Sequence, residues 1–273
     1  MMQKKTEGKR YSFQDLQDIM ATLRSPEGCP WDREQDHNSL KRYLIEEAYE
    51  VLDAIDAKSP AKLCDELGDL LLQVIFHAQI AKENKEFDFD DVAHGVSAKM
   101  VNRHRHVFGE EDAENSDDVM SIWEKVKKEE KGLKTQTQVL KDIPANLPAL
   151  MRSFKVQQKA AQVGFDWDNI QGAMDKVKEE IGELEAAYEG NIKEKIEEEL
   201  GDLLFAVVNV SRFLKVQPEL ALSATVNKFI RRFEWVEKSA TNQGKKLENM
   251  TLEEMDELWD EAKILERQDK GGK

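Results

Sequence analysis

The sequence predicts an all-α protein made of two tandem copies of one helical-bundle unit, and three observations carry that prediction. The stretch Glu66-Leu67-Gly68-Asp69-Leu70-Leu71 returns unchanged as Glu199-Leu200-Gly201-Asp202-Leu203-Leu204. An acidic cluster precedes each copy, Glu46, Glu47 and Glu50 before the first and Glu179, Glu180 and Glu183 before the second, with 16 positions from Glu50 to Glu66 and 16 from Glu183 to Glu199. Third, neither half contains the alternating β-branched and aromatic runs that mark strands, while 35% charged residues, 6 Pro and 14 Gly suit a strongly helical chain. The repeat reaches beyond the acids: Trp31 pairs with Trp167, Lys62 with Lys195, Lys99 with Lys228, Arg103 with Arg232 and Trp123 with Trp259, at offsets between 129 and 136.

In the first copy, Phe13, Leu16, Ile19, Met20 and Leu23 fall at helical spacing and Ser25-Pro26-Glu27-Gly28 stops the helix. A loop with Pro30, Trp31 and Asp32 follows. Ser39 is expected to cap a second helix, to about residue 57, that holds the first acidic cluster. Ser59-Pro60 starts a third, to about residue 83, containing the repeated stretch. A fourth begins at Asp88 or Asp90 and runs through Val107, and a fifth, from Ser116 to Lys131, contains Trp123. Residues 132–143 are polar, and Pro144 and Pro148 follow; 132–147 is read as a linker between an N-terminal unit at 1–131 and a C-terminal unit at 148–273. The pattern then restarts, with a helix from Pro148 ending by Gly164, one to about Tyr188 with the second acidic cluster, one at about 191–214 with the repeated stretch, and one from Pro218 to about Gln243. The last opens at Thr251, with Glu254 three residues on as a capping box, and contains Trp259. Each copy is thus expected to be a bundle of about four helices with flanking helices.

A formal net charge of -15 argues against a broad nucleic-acid or anionic-membrane surface. It leaves room for a small phosphorylated ligand held by a metal and a few cationic side chains. Cys29 and Cys64 have no metal-ligand spacing and are too few for a disulfide scaffold. With a polar stretch at residues 1–10 and no run of about 18 apolar residues, the expectation is a cytosolic protein.

Residues three apart share a helix face, so Glu180 and Glu183 form one carboxylate pair and Glu199 and Asp202 another. Where two such helices pack, four or five like charges converge, and a cation or strong solvation must relieve their repulsion. Oxygen ligands without His or Cys suit Mg²⁺ or Mn²⁺. A lone Glu-Glu-x-x-Glu is ordinarily a solvated face; recurrence at identical spacing, with Glu-x-x-Asp in the apolar part of its helix, favours a metal site. A carboxylate-bridged iron site would need two Glu-x-x-His elements, and Glu34 to His37 is the one match.

With Glu179-Glu180-x-x-Glu183 and Glu199-x-x-Asp202, doubled at Glu46-Glu47-x-x-Glu50 and Glu66-x-x-Asp69, the chain resembles the MazG family of nucleoside triphosphate pyrophosphohydrolases. The resemblance spans nearly the whole chain and includes Gly28-Cys29-Pro30-Trp31-Asp32, Arg103-His104-x-His106-Val107-Phe108, Leu147-Pro148-Ala149-Leu150 and Val163-Gly164-Phe165-Asp166-Trp167. It implies an all-α, homodimeric, Mg²⁺-dependent enzyme, with Mn²⁺ a substitute, that cleaves nucleoside triphosphates to monophosphate and pyrophosphate and removes unwanted nucleotides. By the same resemblance Glu180, Glu183, Glu199 and Asp202 are the metal ligands and Glu179 the candidate base. Lys195, Lys228 and Arg232 would hold phosphates, and Trp259 and Trp167 would contact the nucleoside. The C-terminal half is expected to be catalytic. The N-terminal half, with a second candidate metal set of Glu47, Glu50, Glu66 and Asp69, is expected to be weakly active, structural or regulatory, with a regulatory protein as one conceivable partner.

One departure between the copies bears on that division: seven residues after Asp202 stands Asn209, a hydrogen-bonding amide, where Phe76 follows Asp69. A helical interaction protein with acidic surfaces is the alternative class, which a nucleotide-hydrolysis assay separates.

Overall fold

The computed structural model describes residues 10–271, with side chains described through residue 268; the polar stretch at 1–10 lies outside the described residues except for Arg10. Among the described residues there are thirteen α-helices, one short 3-10 turn and no strand. The chain divides into two compact units, Met1–Glu130 and Lys131–Lys273.

The first unit contains α1 (Phe13–Leu23), α2 (Pro30–Glu34), α3 (Lys41–Asp56), α4 (Pro60–Glu83), α5 (Phe89–Arg103), α6 (Arg105–Phe108) and α7 (Ser116–Glu130). A capping box between Ser12 and Asp15 opens α1, and another between Asp88 and Asp91 opens α5. Three local features differ from the sequence reading. Pro30 begins a five-residue helix in the segment expected as loop. Ser39 does not cap α3; Asp36 accepts the amides of Asn38 and Ser39 at 2.9 and 2.7 Å, and the helix starts after Leu40. The fourth expected helix breaks at His104, whose φ of -101° and ψ of 54° leave the helical region, so α6 is separate.

Met20, Leu40, Ile75, Phe76 and Ile80 form the buried cluster of this unit, drawing apolar faces from α1 and α4 together. An ion pair locks the same two helices: Arg24 Nε and Nη2 donate to Glu83 at 2.9 and 2.8 Å, and Arg24 also donates to the Gln35 carbonyl. Burial alone would raise the Glu83 pKa, but hydrogen bonds from Arg24 and Gln79 outweigh it and hold the carboxyl below its ordinary value. A depressed folded pKa contributes stability that is present at neutral pH and lost as pH falls through the folded value. The Arg24 side chain is 7% exposed and Glu83 36% exposed, so Glu83→Gln is expected to cost about 1 kcal/mol at pH 7 after solvent screening. Hydrogen exchange of α4 should show that difference at pH 7 and lose it as pH falls through the folded Glu83 pKa, below its ordinary value; a difference that does not change as pH falls would exclude the ion pair as its source.

The second unit contains α8 (Gln136–Lys141), α9 (Ala149–Ala161), α10 (Ile170–Glu189), α11 (Lys193–Phe213), α12 (Pro218–Asn242) and α13 (Leu252–Gly271). Helix α8 stands inside the stretch read as linker. Thr135 and Gln138 close a capping box around its start, Lys131 pairs with Asp142 at 2.7 Å, and Gln136 Nε2 donates to the Lys159 carbonyl. Residues 132–147 therefore pack on α9 as part of the second unit, because polar side chains satisfy the short helix's ends. The expected box between Thr251 and Glu254 forms, with bonds of 3.0 and 3.2 Å.

Duplication is visible in the backbone as well. Helices α3 and α4 pair in the first unit as α10 and α11 do in the second. Each pair turns through one residue at positive φ, Lys58 at 52° and Asn191 at 50°. Such short turns oblige consecutive helices to fold back on each other, which lays each acidic cluster against its repeated Glu-x-x-Asp.

Candidate functional site

In the second unit, α10 supplies Glu180 and α11 supplies Glu199 and Asp202, and one carboxylate oxygen from each lies within 4.8 Å of the others. Glu180 is the anchor. It is 4% exposed; one oxygen takes a 2.6 Å contact from Lys176 Nζ and the other, Oε2, is buried without a partner. A buried carboxylate oxygen with no donor is costly, so this position is suited to a bound cation. Glu183, one turn on, is exposed and flanks the three. Its pKa is raised by loss of solvation and then by the negative charges of Glu180 and Glu199. Glu179 is exposed and turned to Lys176 Nζ at 2.8 Å. The Lys176 ammonium thus bridges Glu179 and Glu180, which in that order raise its pKa and keep it charged.

A cavity of about 730 Å³ opens from the carboxylates. Lys176, Glu180 and Asp202 line its charged end, while Trp167, Phe165, Phe205 and Val156 give it apolar walls. Trp167 is placed by its neighbour: a Cβ on Gly172 would come within 3.0 Å of the indole, so the ring rests against bare backbone. At the other end Asn209 Oδ1 accepts from Arg212 Nε and Nη2 at 3.1 and 2.9 Å, and Arg212 also pairs with Asp166. Gln157 of α9 donates to the Phe205 carbonyl at 2.8 Å.

Trp167 and Asn209 thus line the cavity with Glu180 and Asp202, and the structure does not place the other expected substrate contacts there. Arg232 donates to Glu266 at 2.9 and 2.7 Å and lies 5.6 Å from the Trp259 ring centre. Trp259 packs on Phe229, at 4.9 Å between ring centres, in the α12–α13 cluster of Val236, Ala240 and Leu258. Lys195 is exposed on α11 and Lys228 half-buried on α12, both outside the cavity lining. Lys176, Arg212 and Gln157 were not singled out from the sequence. Lys176 had a readable signal, standing four residues before Glu180; a single Gln in an amphipathic helix has none.

The first unit brings together Glu47, Glu66 and Asp69, again within 4.8 Å, with Glu50 beside them. Burial, then Asp69 and Glu50, raise the Glu47 pKa; loss of solvation, then Glu50, raises that of Glu66. The space beyond differs from that in the second unit. Trp31 sets its edge toward Tyr43 and the buried Phe76, at 6.0 and 6.5 Å between ring centres, and the Arg24 guanidinium lies 5.4 Å from the Phe76 ring. A cavity of about 140 Å³ in this unit is lined by Gln14, Asp18 and Phe89 among others, and none of the three carboxylates lines it.

The family model of the MazG nucleotide pyrophosphohydrolase domain matches residues 35–108 and again 169–237, covering α3 and α4 in one unit and α10 and α11 in the other. The chain is 45% identical over 251 residues to the nucleoside triphosphate pyrophosphohydrolase/pyrophosphatase MazG of Thermotoga maritima, covering 92% of this chain and 95% of that protein. It is 47% identical over 251 residues to the nucleoside triphosphate pyrophosphohydrolase of Escherichia coli K12, covering 91% and 95%. The uncharacterized protein YabN of Bacillus subtilis is 47% identical over 262 residues, which make up 94% of this chain and 53% of YabN. Repeated helix pairs, each closing a carboxylate cluster, and a family model that matches both, show that the chain belongs to the MazG nucleotide pyrophosphohydrolase family.

Proposed function

We propose that this protein hydrolyses ribo- and deoxyribonucleoside triphosphates at the α-phosphorus, releasing monophosphate and pyrophosphate, and that the second unit holds the main site. The observation that carries this reading is the cavity that joins a convergent carboxylate cluster to aromatic walls of nucleoside size. The donor set is all oxygen, with one buried oxygen unpartnered, and it fits Mg²⁺, or Mn²⁺ in its place. Glu180, Glu199 and Asp202 would hold the ion, with Glu183 beside them. When bound, the ion supplies charge neutralisation on the phosphates and lowers the cost of forming hydroxide.

The residues perform the rest. Lys176 is the cation nearest the cluster, and in our reading it passes from the carboxylates to the arriving phosphates. That transfer leaves Glu179 to take the proton of the attacking water. Trp167 and Asn209 hold the nucleoside end. Lys195, Lys228, Arg232 and Trp259 reach a phosphate or nucleoside in this scheme from a second copy of the chain. The exposed apolar side chains of α11 and α12, among them Leu204, Val207, Phe229 and Ile230, suit such a homodimer. Among the described residues no helix is long and apolar enough to cross a membrane. That and the net charge of -15 suit action on free nucleotides in the cytoplasm rather than on nucleic acid.

The test is chromatography of products from each common NTP and dNTP. Monophosphate and pyrophosphate are expected with Mg²⁺, and none after chelation. Diphosphate with orthophosphate would place attack at the γ-phosphorus and overturn the reading, as would no turnover of any of them.

A further inference from the structure

Gln157 is the buried polar group in the cavity that the chemistry above leaves unused. It is 8% exposed, and its Nε2 is committed to the Phe205 carbonyl at 2.8 Å. That bond fixes the orientation of the amide, because only nitrogen can donate to a carbonyl. Its Oε1 therefore remains as a pure acceptor, buried, without a partner, on a side chain that lines the cavity. Asn209 offers the complementary group. Its Oδ1 is occupied by two donors from Arg212, itself held by Asp166, so the part of the amide left for a ligand is the Nδ2 donor. Phe205 and Asn209 are four residues apart on α11, which puts the two amides beside one turn of the same helix. The cavity thus presents one acceptor and one donor along one turn of α11, among lining residues that include Trp167, Phe205 and the Arg212–Asp166 pair.

We infer that Gln157 and Asn209 form a base-edge reader, with Gln157 the specificity-determining residue, that accepts nucleotides whose base carries an N–H donor next to an acceptor. This deepens the hydrolase reading above and rests on it. All the standard bases satisfy the pair on their Watson–Crick edge: the amino group and ring nitrogen of adenine or cytosine, the ring N–H and carbonyl of guanine, uracil or thymine. Reading that edge while the ring stacks on aromatic side chains is a general mode for a base outside a helix. Adenine and cytosine carry the donor outside the ring and the acceptor in it, and guanine, uracil and thymine the reverse, so the two sets meet the fixed pair with the ring turned over. In either pose a base whose edge donor is missing is rejected, because a buried acceptor left unpaired penalises the analogue. In the first unit the position equivalent to Asn209 is Phe76, and that reader is absent.

Purine riboside triphosphate, which is ATP without its amino group, tests this directly on the intact protein, as does N3-methyluridine triphosphate against UTP. The wild type should show kcat/KM at least about tenfold lower for each analogue. AMP should outbind purine riboside monophosphate by a similar factor in calorimetry without metal. Gln157→Met, which keeps length and removes the acceptor, should bring both ratios toward one by weakening the standard nucleotide alone, with unchanged circular dichroism. Equal use and equal binding of analogue and parent by the wild type would overturn the inference whatever the variant does. Nucleotide binding with the stated preference but no pyrophosphate from any triphosphate would instead reject the hydrolase reading and keep the reader.

Discussion

Glu180→Gln and Asp202→Asn are each expected to reduce pyrophosphate release from NTP at least about a hundredfold, with helix content unchanged. Both substitutions keep shape and remove one negative charge. Their cost should be functional because the cluster is mainly repulsive in the folded chain: Glu180 Oε2 is buried without a donor, Glu183 beside it has a raised pKa from lost solvation and from Glu180 and Glu199, and Lys176, the cation paired with Glu180, is also bonded to Glu179. Removing a charge from such a cluster relieves repulsion, so thermal stability without metal should hold or rise in Asp202→Asn, while Glu180→Gln sets that relief against the loss of its Lys176 ion pair. Titration with Mn²⁺ should separate the effects further, with affinity at the second unit lost in Glu180→Gln. If both variants turn over NTP at the wild-type rate, the cluster is not the site. If turnover is lost together with helix content, Glu180 is a packing residue instead.

That cluster was legible because helical period alone puts Glu180 on the face of Glu183, and Glu199 on that of Asp202. The identical 16-residue gap then implied that both helices meet in both halves. Turn geometry at Lys58 and Asn191, which was not foreseen, is what delivers the meeting. Short helices were the least legible part. Helices α2 and α8 lack the length for an apolar stripe; the first opens on Pro30 without a side-chain cap, and the second on the Thr135–Gln138 capping box. The sequence also concealed which polar residues turn inward. Gln157 and Arg212 read as ordinary members of amphipathic helices until their partners, the Phe205 carbonyl and Asp166, are seen. Arg232 and Trp259 entered through the family resemblance, and within one chain they are engaged with Glu266 and Phe229.

Glu199→Gln in the full-length protein is expected to remove most NTP turnover, at least about a hundredfold, and the equivalent Glu66→Gln to spare it. The two residues stand at matching positions of the repeated stretch and each joins a three-carboxylate group, so the substitutions are equal as chemistry. What differs is the surroundings. At an offset of 133 the cation Lys176 is replaced in the first unit by Tyr43, the amide Asn209 by Phe76, and the cation Arg212 by Gln79. A phenol and a phenyl ring cannot neutralise phosphate or pair with a base, and here they pack with Trp31 into the first unit's interior. The first unit therefore keeps the carboxylates and, in Lys62, Lys99 and Arg103, the counterparts of Lys195, Lys228 and Arg232, while lacking the cation beside the cluster and the polar groups at the nucleoside end. Its three carboxylates should still bind Mn²⁺, and that binding, lost in Glu66→Gln, should raise the unit's stability without contributing turnover. Loss of activity in Glu66→Gln with Glu199→Gln unaffected would move the hydrolytic site to the first unit. Equal partial loss in both would mean that the two units share the work.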